Sequence, residues 1–234
     1  MVTGRAAYRY DGSTVWTRSD LDNNILEYAF DGHPAIADLD GDGLNEVVVR
    51  GGGGLFVFNG QTGQTIAGPI NPPTDISMGA ECVDSGEEGA DDCNPIPTHP
   101  AIFNVDDDHE LEIVLSNNYV ILVYDRNLNE EWRAEINDAT GASGPAGFDF
   151  DVDDSVNVVY TDEGKAWVFD DVGTPIYDAA RGSVTLAETA AIADVNNDGH
   201  ANLVVGSNEP EFGLSDGFEM LSNTGTSWPH ARGI

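Results

Sequence analysis

The chain has 234 residues and carries a formal net charge of −33 at pH 7, because 42 acidic residues stand against 9 basic ones. Nucleic acids and anionic membranes are bound through Lys and Arg contacts with phosphate groups, so this charge argues against both as partners. Hydrophobic residues make up 40% of the sequence, which allows a sizeable core. No run reaches the roughly 18 apolar residues of a membrane-spanning helix.

The first element along the chain is a predicted hairpin. The stretch "YRYDGSTVW", from Tyr8, places an Asp-Gly turn between two short runs of strand-forming residues. It matches the second half of the repeat described below, so residues 5–30 are predicted to form a half-blade without its first two strands. The opening "MVTGRAAYRY" lacks the apolar centre of a signal peptide, so none is predicted in this chain.

An acidic motif between two short apolar runs then recurs four times. The copies are "PAIADLDGDGLNEVVV" from Pro34, "PAIFNVDDDHELEIVL" from Pro100, "PAGFDFDVDDSVNVVY" from Pro145 and "AAIADVNNDGHANLVV" from Ala190. The first loop position falls on Asp38, Asn104, Asp149 and Asp194, which gives spacings of 66, 45 and 45 residues. A fixed period near 45 residues indicates a repeat architecture.

Each repeat contains four predicted strands, labelled A to D, and the acidic loop joins A to B. Runs such as "EVVV" are β-branched and too short for an amphipathic helix, and pairs of apolar runs such as "LFVFNGQTGQTI" follow them. Four antiparallel strands in about 45 residues fit a β-propeller blade, whereas a calcium-binding parallel β-helix has a far shorter repeat.

The sequence therefore predicts an all-β chain that forms a single β-propeller domain, or a fragment of one, over residues 1–234. The four full blades are predicted at residues 33–70, 98–137, 144–181 and 188–231, after the N-terminal half-blade. Because a half-blade leaves strand edges unpaired, we expect these blades to be part of a larger ring.

The alternating carboxylates of the loop predict a cation site. Asp38, Asp40 and Asp42 are close together in the sequence, and like charges in such proximity favour a bound dication with oxygen ligands. An EF-hand would need a Glu at the twelfth position, but that position is Val49, within a predicted strand. The alternative is a set of polar turns closed by hydrogen bonds from side chains to the backbone, with no metal.

The loop resembles the calcium site of the FG-GAP (or VCBS) repeat family, the blades of integrin α-subunit propellers and of many bacterial surface proteins. The resemblance implies up to four Ca²⁺ sites, with oxygen donors at the first, third and fifth positions, a backbone carbonyl at the seventh and a closing side chain at the ninth. The corresponding residues are Asp38, Asp40, Asp42, Leu44 and Glu46; Asn104, Asp106, Asp108, Glu110 and Glu112; Asp149, Asp151, Asp153, Ser155 and Asn157; and Asp194, Asn196, Asp198, His200 and Asn202.

The sixth loop position must make a sharp turn, and the four copies differ there. It is Gly43 in the first loop and Gly199 in the fourth, but His109 in the second and Asp154 in the third. Asp tolerates a left-handed backbone better than most residues, so the third loop is predicted to keep the turn.

The family resemblance also implies a function and a location. It implies an extracellular or cell-surface module that binds a protein or glycan ligand without catalysis, with further blades or another chain completing the ring. The alternative is the propeller portion of a polysaccharide lyase or another carbohydrate-active enzyme. The five histidines form no nucleophile or metal-ligand motif, so the residues favour the non-catalytic role. His33 and His99 both precede a Pro-Ala that opens an A strand, which indicates an equivalent structural position.

An insertion at residues 71–97 interrupts the repeat after the first full blade. It contains the only two cysteines, Cys82 and Cys93, which we expect to form a disulfide, with two free thiols as the alternative. In an antiparallel four-stranded blade, the A–B and C–D turns lie at one end and the other connections at the opposite end. The insertion is therefore predicted on the face opposite the acidic loops, and this face, with its longer loops, is the predicted recognition surface.

Overall fold

The computed structural model of the chain describes residues 1–18, 33–51, 54–73, 98–106, 108–138, 141, 143–150, 153–182, 189–197, 199–207 and 217–221. This part of the chain is all-β, with its strands arranged in five antiparallel sheets. It contains no helix that could span a membrane.

Each sheet is a meander in which strands adjacent in sequence pair with one another. Sheet 1 contains β1 (Val2–Thr3), β2 (Ala6–Tyr8) and β3 (Thr14–Thr17). Sheet 2 contains β4 (His33–Ala37), β5 (Glu46–Gly51), β6 (Gly54–Asn59) and β7 (Thr65–Ile70). Sheet 3 contains β8 (Ala101–Phe103), β9 (Glu112–Asn117), β10 (Val120–Tyr124) and β11 (Glu130–Glu135). Sheet 4 contains β12 (Ala146–Phe148), β13 (Asn157–Thr161), β14 (Lys165–Phe169) and β15 (Pro175–Ala180), and sheet 5 contains β16 (Ala191–Ala193), β17 (Asn202–Ser207) and β18 (Gly217–Leu221).

The described strands of sheets 2 to 5 fall within the four predicted repeats, and each acidic loop joins the first strand of its sheet to the second. Sheet 1 has one strand more than the predicted hairpin. The added strand, Val2–Thr3, pairs with Ala6 and Ala7 and begins before the predicted start at residue 5. A strand of two residues is too short to show a periodic pattern in the sequence.

Several sequence predictions lie outside the described residues. These are the cysteine pair Cys82 and Cys93 with most of the insertion, the proposed ligands Asp151 and Asp198, and the expected last strand of the fourth repeat.

The second and third strands of sheets 2 and 3, β5, β6, β9 and β10, are buried almost throughout, whereas the outer strands β7 and β11 are largely exposed. This burial arises because consecutive sheets pack face to face and cover the inner strands on both sides. Apolar clusters join sheet 1 to sheet 2, sheet 2 to sheet 3, sheet 3 to sheet 4 and sheet 4 to sheet 5. Within the described part of the chain, these clusters join only sheets that are consecutive in sequence.

Two tryptophans on outer strands cover turns of the next sheet. The Trp16 indole of sheet 1 lies over Gly63, and the Trp132 indole of sheet 3 lies over Gly173. A Cβ added to these glycines would come within 2.6 Å and 2.5 Å of the respective rings. Both glycines have positive φ, 72° and 78°, so the turn needs glycine for its backbone as well as for the contact. These tryptophans therefore hold neighbouring sheets together.

Hydrogen bonds between turns define the two ends of the molecule. At one end, the Gly60 N–H of the β6–β7 turn donates to the Asn45 carbonyl of the acidic loop at 3.0 Å. At the other end, the Asn117 side-chain amide donates to the Pro72 carbonyl of the connection after β7 at 2.7 Å. The acidic loops therefore lie at the end opposite the start of the insertion, as the strand order predicts.

Candidate metal centres

The carboxylates of the first acidic loop lie close together. The side-chain oxygens of Asp38, Asp40 and Asp42 lie within 4.8 Å of one another. Asp38 accepts hydrogen bonds from the Gly43 N–H at 2.8 Å and the Asp42 N–H at 3.1 Å, and Asp42 accepts one from the Leu44 N–H at 2.7 Å. Gly43 has a φ of 87°, which allows the sharp turn that the motif predicts. The loop backbone therefore sets the position of the acidic groups.

The second loop gathers the carboxylates of Asp106, Asp108 and Glu112 within the same 4.8 Å limit. The Asn104 side-chain amide donates to the Asp108 carbonyl at 2.9 Å, which turns its Oδ1 atom away from that partner. The Oδ1 atom is buried and has no hydrogen-bond partner within the described part of the protein. An unpaired buried oxygen costs free energy, and a bound cation would satisfy it.

The ninth residue of every loop makes the same hydrogen bond. Its side-chain oxygen accepts the backbone N–H of the second loop residue, at distances of 2.9, 2.6, 2.9 and 3.1 Å from the first loop to the fourth. The four side chains are buried, with exposures of 1–4%, and belong to Glu46, Glu112, Asn157 and Asn202. The resemblance assigned these residues to the metal, but in the structure they also close the loop from within the protein.

The third and fourth loops keep the same turn chemistry over their described residues. The Ser155 N–H donates to Asp153 Oδ1 at 3.0 Å, and the Gly199 N–H donates to Asp194 Oδ2 at 2.9 Å. Asp154 has a φ of 75°, which confirms the predicted left-handed turn. Since Asp151 and Asp198 are not described, the convergence of the donors in these two loops stays a prediction.

Electrostatics in the second loop favour an added positive charge. Burial raises the pKa of Glu112 to about 7, and the nearby carboxylates of Asp106, Glu131 and Asp108 add to the effect. Burial also raises the pKa of Glu46 in the first loop, with smaller contributions from Asp42 and Asp38. A dication placed among such groups favours their charged forms.

Glu131 is an acidic residue near the second loop that the motif does not contain. It lies on β11 of the same sheet, and desolvation raises its pKa to about 7. The charges of Asp106, Asp125, Asp108 and Glu110 raise it further. No periodic signal marks a residue on a separate strand, so only the fold reveals that this carboxylate adds to the negative charge of the loop.

Arg126 is a second residue that the motif does not predict. It lies in the turn between β10 and β11, and its guanidinium donates to Asp40 of the neighbouring sheet. Both side chains are partly exposed, at 30% and 24%. The corresponding residue in the next sheet is Asp171, so the second loop has an acidic residue where the first has a basic one. The scarcity of basic residues is the one sequence signal that could have drawn attention to Arg126.

Neither a protein-family model nor a curated protein matches the chain. Among solved structures, the C-terminal domain of PilY1 from Pseudomonas aeruginosa is similar, with a TM-score of 0.57 and 14% identity over 98% of this chain and 58% of that chain. BBS1N in its complex with ARL6DN gives a TM-score of 0.51 and 13% identity, over 85% and 56% of the two chains. The biofilm matrix protein Bap1 of V. cholerae gives 0.44 and 24%, over 52% and 21%.

These identities are low, so the similarity to PilY1 and BBS1N concerns the fold alone. The chain spans somewhat more than half the length of these two solved chains, and about a fifth of Bap1.

Proposed function

We propose that the chain forms blades of a calcium-stabilised β-propeller of the FG-GAP (VCBS) type that acts outside the cell as a non-catalytic binding or adhesion module. The calcium assignment rests on the arrangement of donors in the second acidic loop. There, a buried Asn104 oxygen without a partner shares the loop with the converging carboxylates of Asp106, Asp108 and Glu112. Carboxylate and amide oxygens are the ligands that Ca²⁺ prefers.

The residues present fit a calcium ion in both loops whose carboxylates converge. When bound, the ion would offset the mutual repulsion of the carboxylates. The chain itself contributes the shape of the loop, through backbone N–H groups that orient Asp38, Asp42 and Asp108, and through the buried ninth residue. Ca²⁺ sites of extracellular modules are often weak, and such sites are occupied where calcium is plentiful, which favours a location outside the cell or on its surface.

The propeller assignment is supported by the arrangement of the sheets. Four-stranded meanders pack face to face in chain order, and PilY1 and BBS1N give independent matches to the fold. Propellers close such a series into a ring. We infer that further blades, or another chain, complete the ring around the sheets described here.

The recognition surface is assigned to the end opposite the acidic loops. It contains the β9–β10 and β13–β14 turns, the connections between sheets and the start of the insertion. Binding residues concentrate in loops on a rigid scaffold. The acidic loops at the other end have a structural role instead. The ligand is proposed to be an extracellular protein or a glycan.

Calorimetric calcium titration tests the metal assignment. Asp106→Asn should remove or weaken one binding event, because it takes a carboxylate from the second cluster. Glu135→Gln removes the same charge from an exposed position on β11, outside the loop motif, and should leave the titration unchanged. Identical titrations for the two variants would contradict a site at the second loop.

Incubation with a panel of polysaccharides tests the non-catalytic role. Retention on an immobilised glycan whose chain length stays constant is the expected result for a binding module. A lyase would instead shorten the chain and leave unsaturated ends that absorb ultraviolet light. Calcium-dependent appearance of such ends would overturn the proposed function in favour of the carbohydrate-active enzyme.

A further inference from the structure

The two histidines at equivalent positions of sheets 2 and 3 are in direct contact. His33 begins β4, and His99 lies two residues before β8, the corresponding strand of the next sheet. Their ring centroids are 3.6 Å apart, with 35° between the ring planes. His33 is half-buried and His99 is exposed, so the pair is open to solvent on one side. The fold thus brings together two imidazoles that are 66 residues apart in the sequence.

The pair is well separated from the acidic loops. β4 runs from His33 to Ala37 and leads directly into Asp38, so the strand puts roughly 16 Å between the histidine and that loop at about 3.3 Å per residue. The two groups therefore lie at opposite ends of the molecule, and their chemistry differs. The loops offer carboxylate oxygens, which suit Ca²⁺, whereas imidazole nitrogens suit copper, nickel and zinc.

The surroundings of the His33 ring favour the form that offers a nitrogen lone pair. Burial lowers the pKa of His33, and the neighbouring His99 lowers it further, so the fold favours the neutral His33 imidazole. A neutral imidazole is the form that binds a metal ion, so this shift favours metal binding at His33. Because His99 is exposed, its ring can rotate to direct a nitrogen toward a shared ion.

Arg50 and Thr98 are polar residues beside the pair, and Arg50 Nε is buried with no hydrogen-bond partner within the described residues. Arg50 is paired with His33 across the sheet, but its guanidinium donates to the Gly51 carbonyl at 3.3 Å. The Thr98 hydroxyl donates to the Ser116 carbonyl at 3.0 Å. A cation at the pair would therefore rely on the imidazole nitrogens alone, which favours metals with strong bonds to nitrogen over calcium.

We propose that His33 and His99 form a two-imidazole site for a divalent transition metal of the copper, nickel and zinc class, with water completing the coordination. The site does not depend on the acidic loops. A bound metal would link the first strand of sheet 2 to the first strand of sheet 3, and would stabilise their contact.

Electron paramagnetic resonance with Cu²⁺ tests the site, because coordinated imidazole nitrogens leave a hyperfine pattern that carboxylates do not. The protein is first saturated with calcium so that the acidic loops are occupied. One equivalent of Cu²⁺ should then give the pattern of two imidazoles, and His99→Gln should reduce it to one. His99 is exposed, so this variant should fold, and an unchanged melting temperature without transition metal checks that it does.

His109→Gln is the matched control, since it removes an imidazole from the second acidic loop and should keep the two-nitrogen pattern. As a second measurement, Zn²⁺ should raise the melting temperature of the calcium-saturated protein but not that of the His99→Gln variant. A copper spectrum without nitrogen coupling, or the same two-nitrogen pattern in His99→Gln, would overturn the assignment.

Discussion

The ion pair between Arg126 and Asp40 places a fixed positive charge on a proposed ligand of the first loop. A count of side-chain carboxylates ranks this loop as the strongest calcium site, since it has four among its predicted side-chain donors and the second loop has three. A calcium ion at the first loop must share Asp40 with Arg126 or displace the arginine. This competition removes part of the affinity that the four carboxylates would give. The second loop has the unpaired Asn104 oxygen and no such arginine at the equivalent turn position.

We therefore predict that Arg126→Gln strengthens calcium binding at the first loop. Partly exposed ion pairs contribute about 0.2–1 kcal/mol, so the dissociation constant should fall by about 1.4-fold to fivefold. Competition with a chromophoric chelator measures the change. Arg133→Gln is the control, because Arg133 pairs with Glu130 on the exposed face of β11 and the variant has the same net charge. Equal affinities in the two variants would show that Arg126 acts only through overall charge.

At the scale of single residues, the sequence predicts the acidic positions but not all of their roles. The alternating donors and the turn at Asp154 could be predicted because they are local in the chain. The contributions of Arg126 and Glu131 could not, because both come from elements that only folding brings to the loop. The ninth residue was predicted as a ligand, yet its hydrogen bond to the second residue becomes visible only when the loop closes.

Among the structural elements, the contact between a tryptophan and a glycine turn is repeated at two sheet interfaces. We predict that Gly173→Ala destabilises the protein more than Gly12→Ala does. Both glycines have positive φ, 78° and 83°, and an alanine there costs about 1–2 kcal/mol in backbone strain. At Gly173 the new methyl group also meets the Trp132 ring, whereas nothing lies within 4 Å at Gly12.

Overpacking of this kind adds about 1–3 kcal/mol, and urea unfolding of the two variants measures the difference. If both variants lost the same stability, the tryptophan contact would have no energetic role.

A buried hydrogen bond links sheet 4 to the connection that precedes it. Tyr160 donates its hydroxyl to Asp138 at 2.5 Å, and the two side chains are 1% and 2% exposed. Tyr160→Phe should lower the free energy of unfolding by about 1–3 kcal/mol, because it leaves a buried carboxylate with one donor fewer. Tyr124→Phe is the matched control, since the buried Tyr124 hydroxyl has no partner within the described residues. Urea unfolding of this control should show little loss, or a gain, in the free energy of unfolding. A larger loss in the control than in Tyr160→Phe would contradict a stabilising role for the hydrogen bond between Tyr160 and Asp138.

The elements themselves were largely predictable because their periodicity is strong. Short β-branched runs and a fixed repeat identify the strands of sheets 2 to 4, and the strand order then assigns the acidic loops to one end. The first strand of sheet 1, β1, was missed, because Val2–Thr3 is defined by its pairing with β2 rather than by any pattern of its own. Which strands are covered on both faces also depends on the neighbouring sheets, and the sequence of one repeat does not contain that information.

At the scale of the whole molecule, the net charge of −33 opposes folding. Four calcium ions would offset eight of these charges, so self-repulsion remains strong even in the loaded protein. We predict that sodium chloride raises the melting temperature of the calcium-free protein, because salt screens charges separated by more than about 10 Å at 0.1 M. A melting temperature that falls with added salt would contradict a dominant role for repulsion.

We propose that calcium in the acidic loops holds the fold together, and thermal unfolding with calcium or with a chelator is the sharpest test of this role. At a tenfold excess over the dissociation constant, each site contributes about 1.4 kcal/mol, so several sites together approach the stability of an ordinary domain. Ionic strength is kept constant, and magnesium replaces calcium as a control because it requires a smaller, octahedral site. We expect the melting temperature to drop markedly with chelator, and calcium but not magnesium to restore it. Equal melting temperatures in all three conditions would show that calcium does not stabilise the fold.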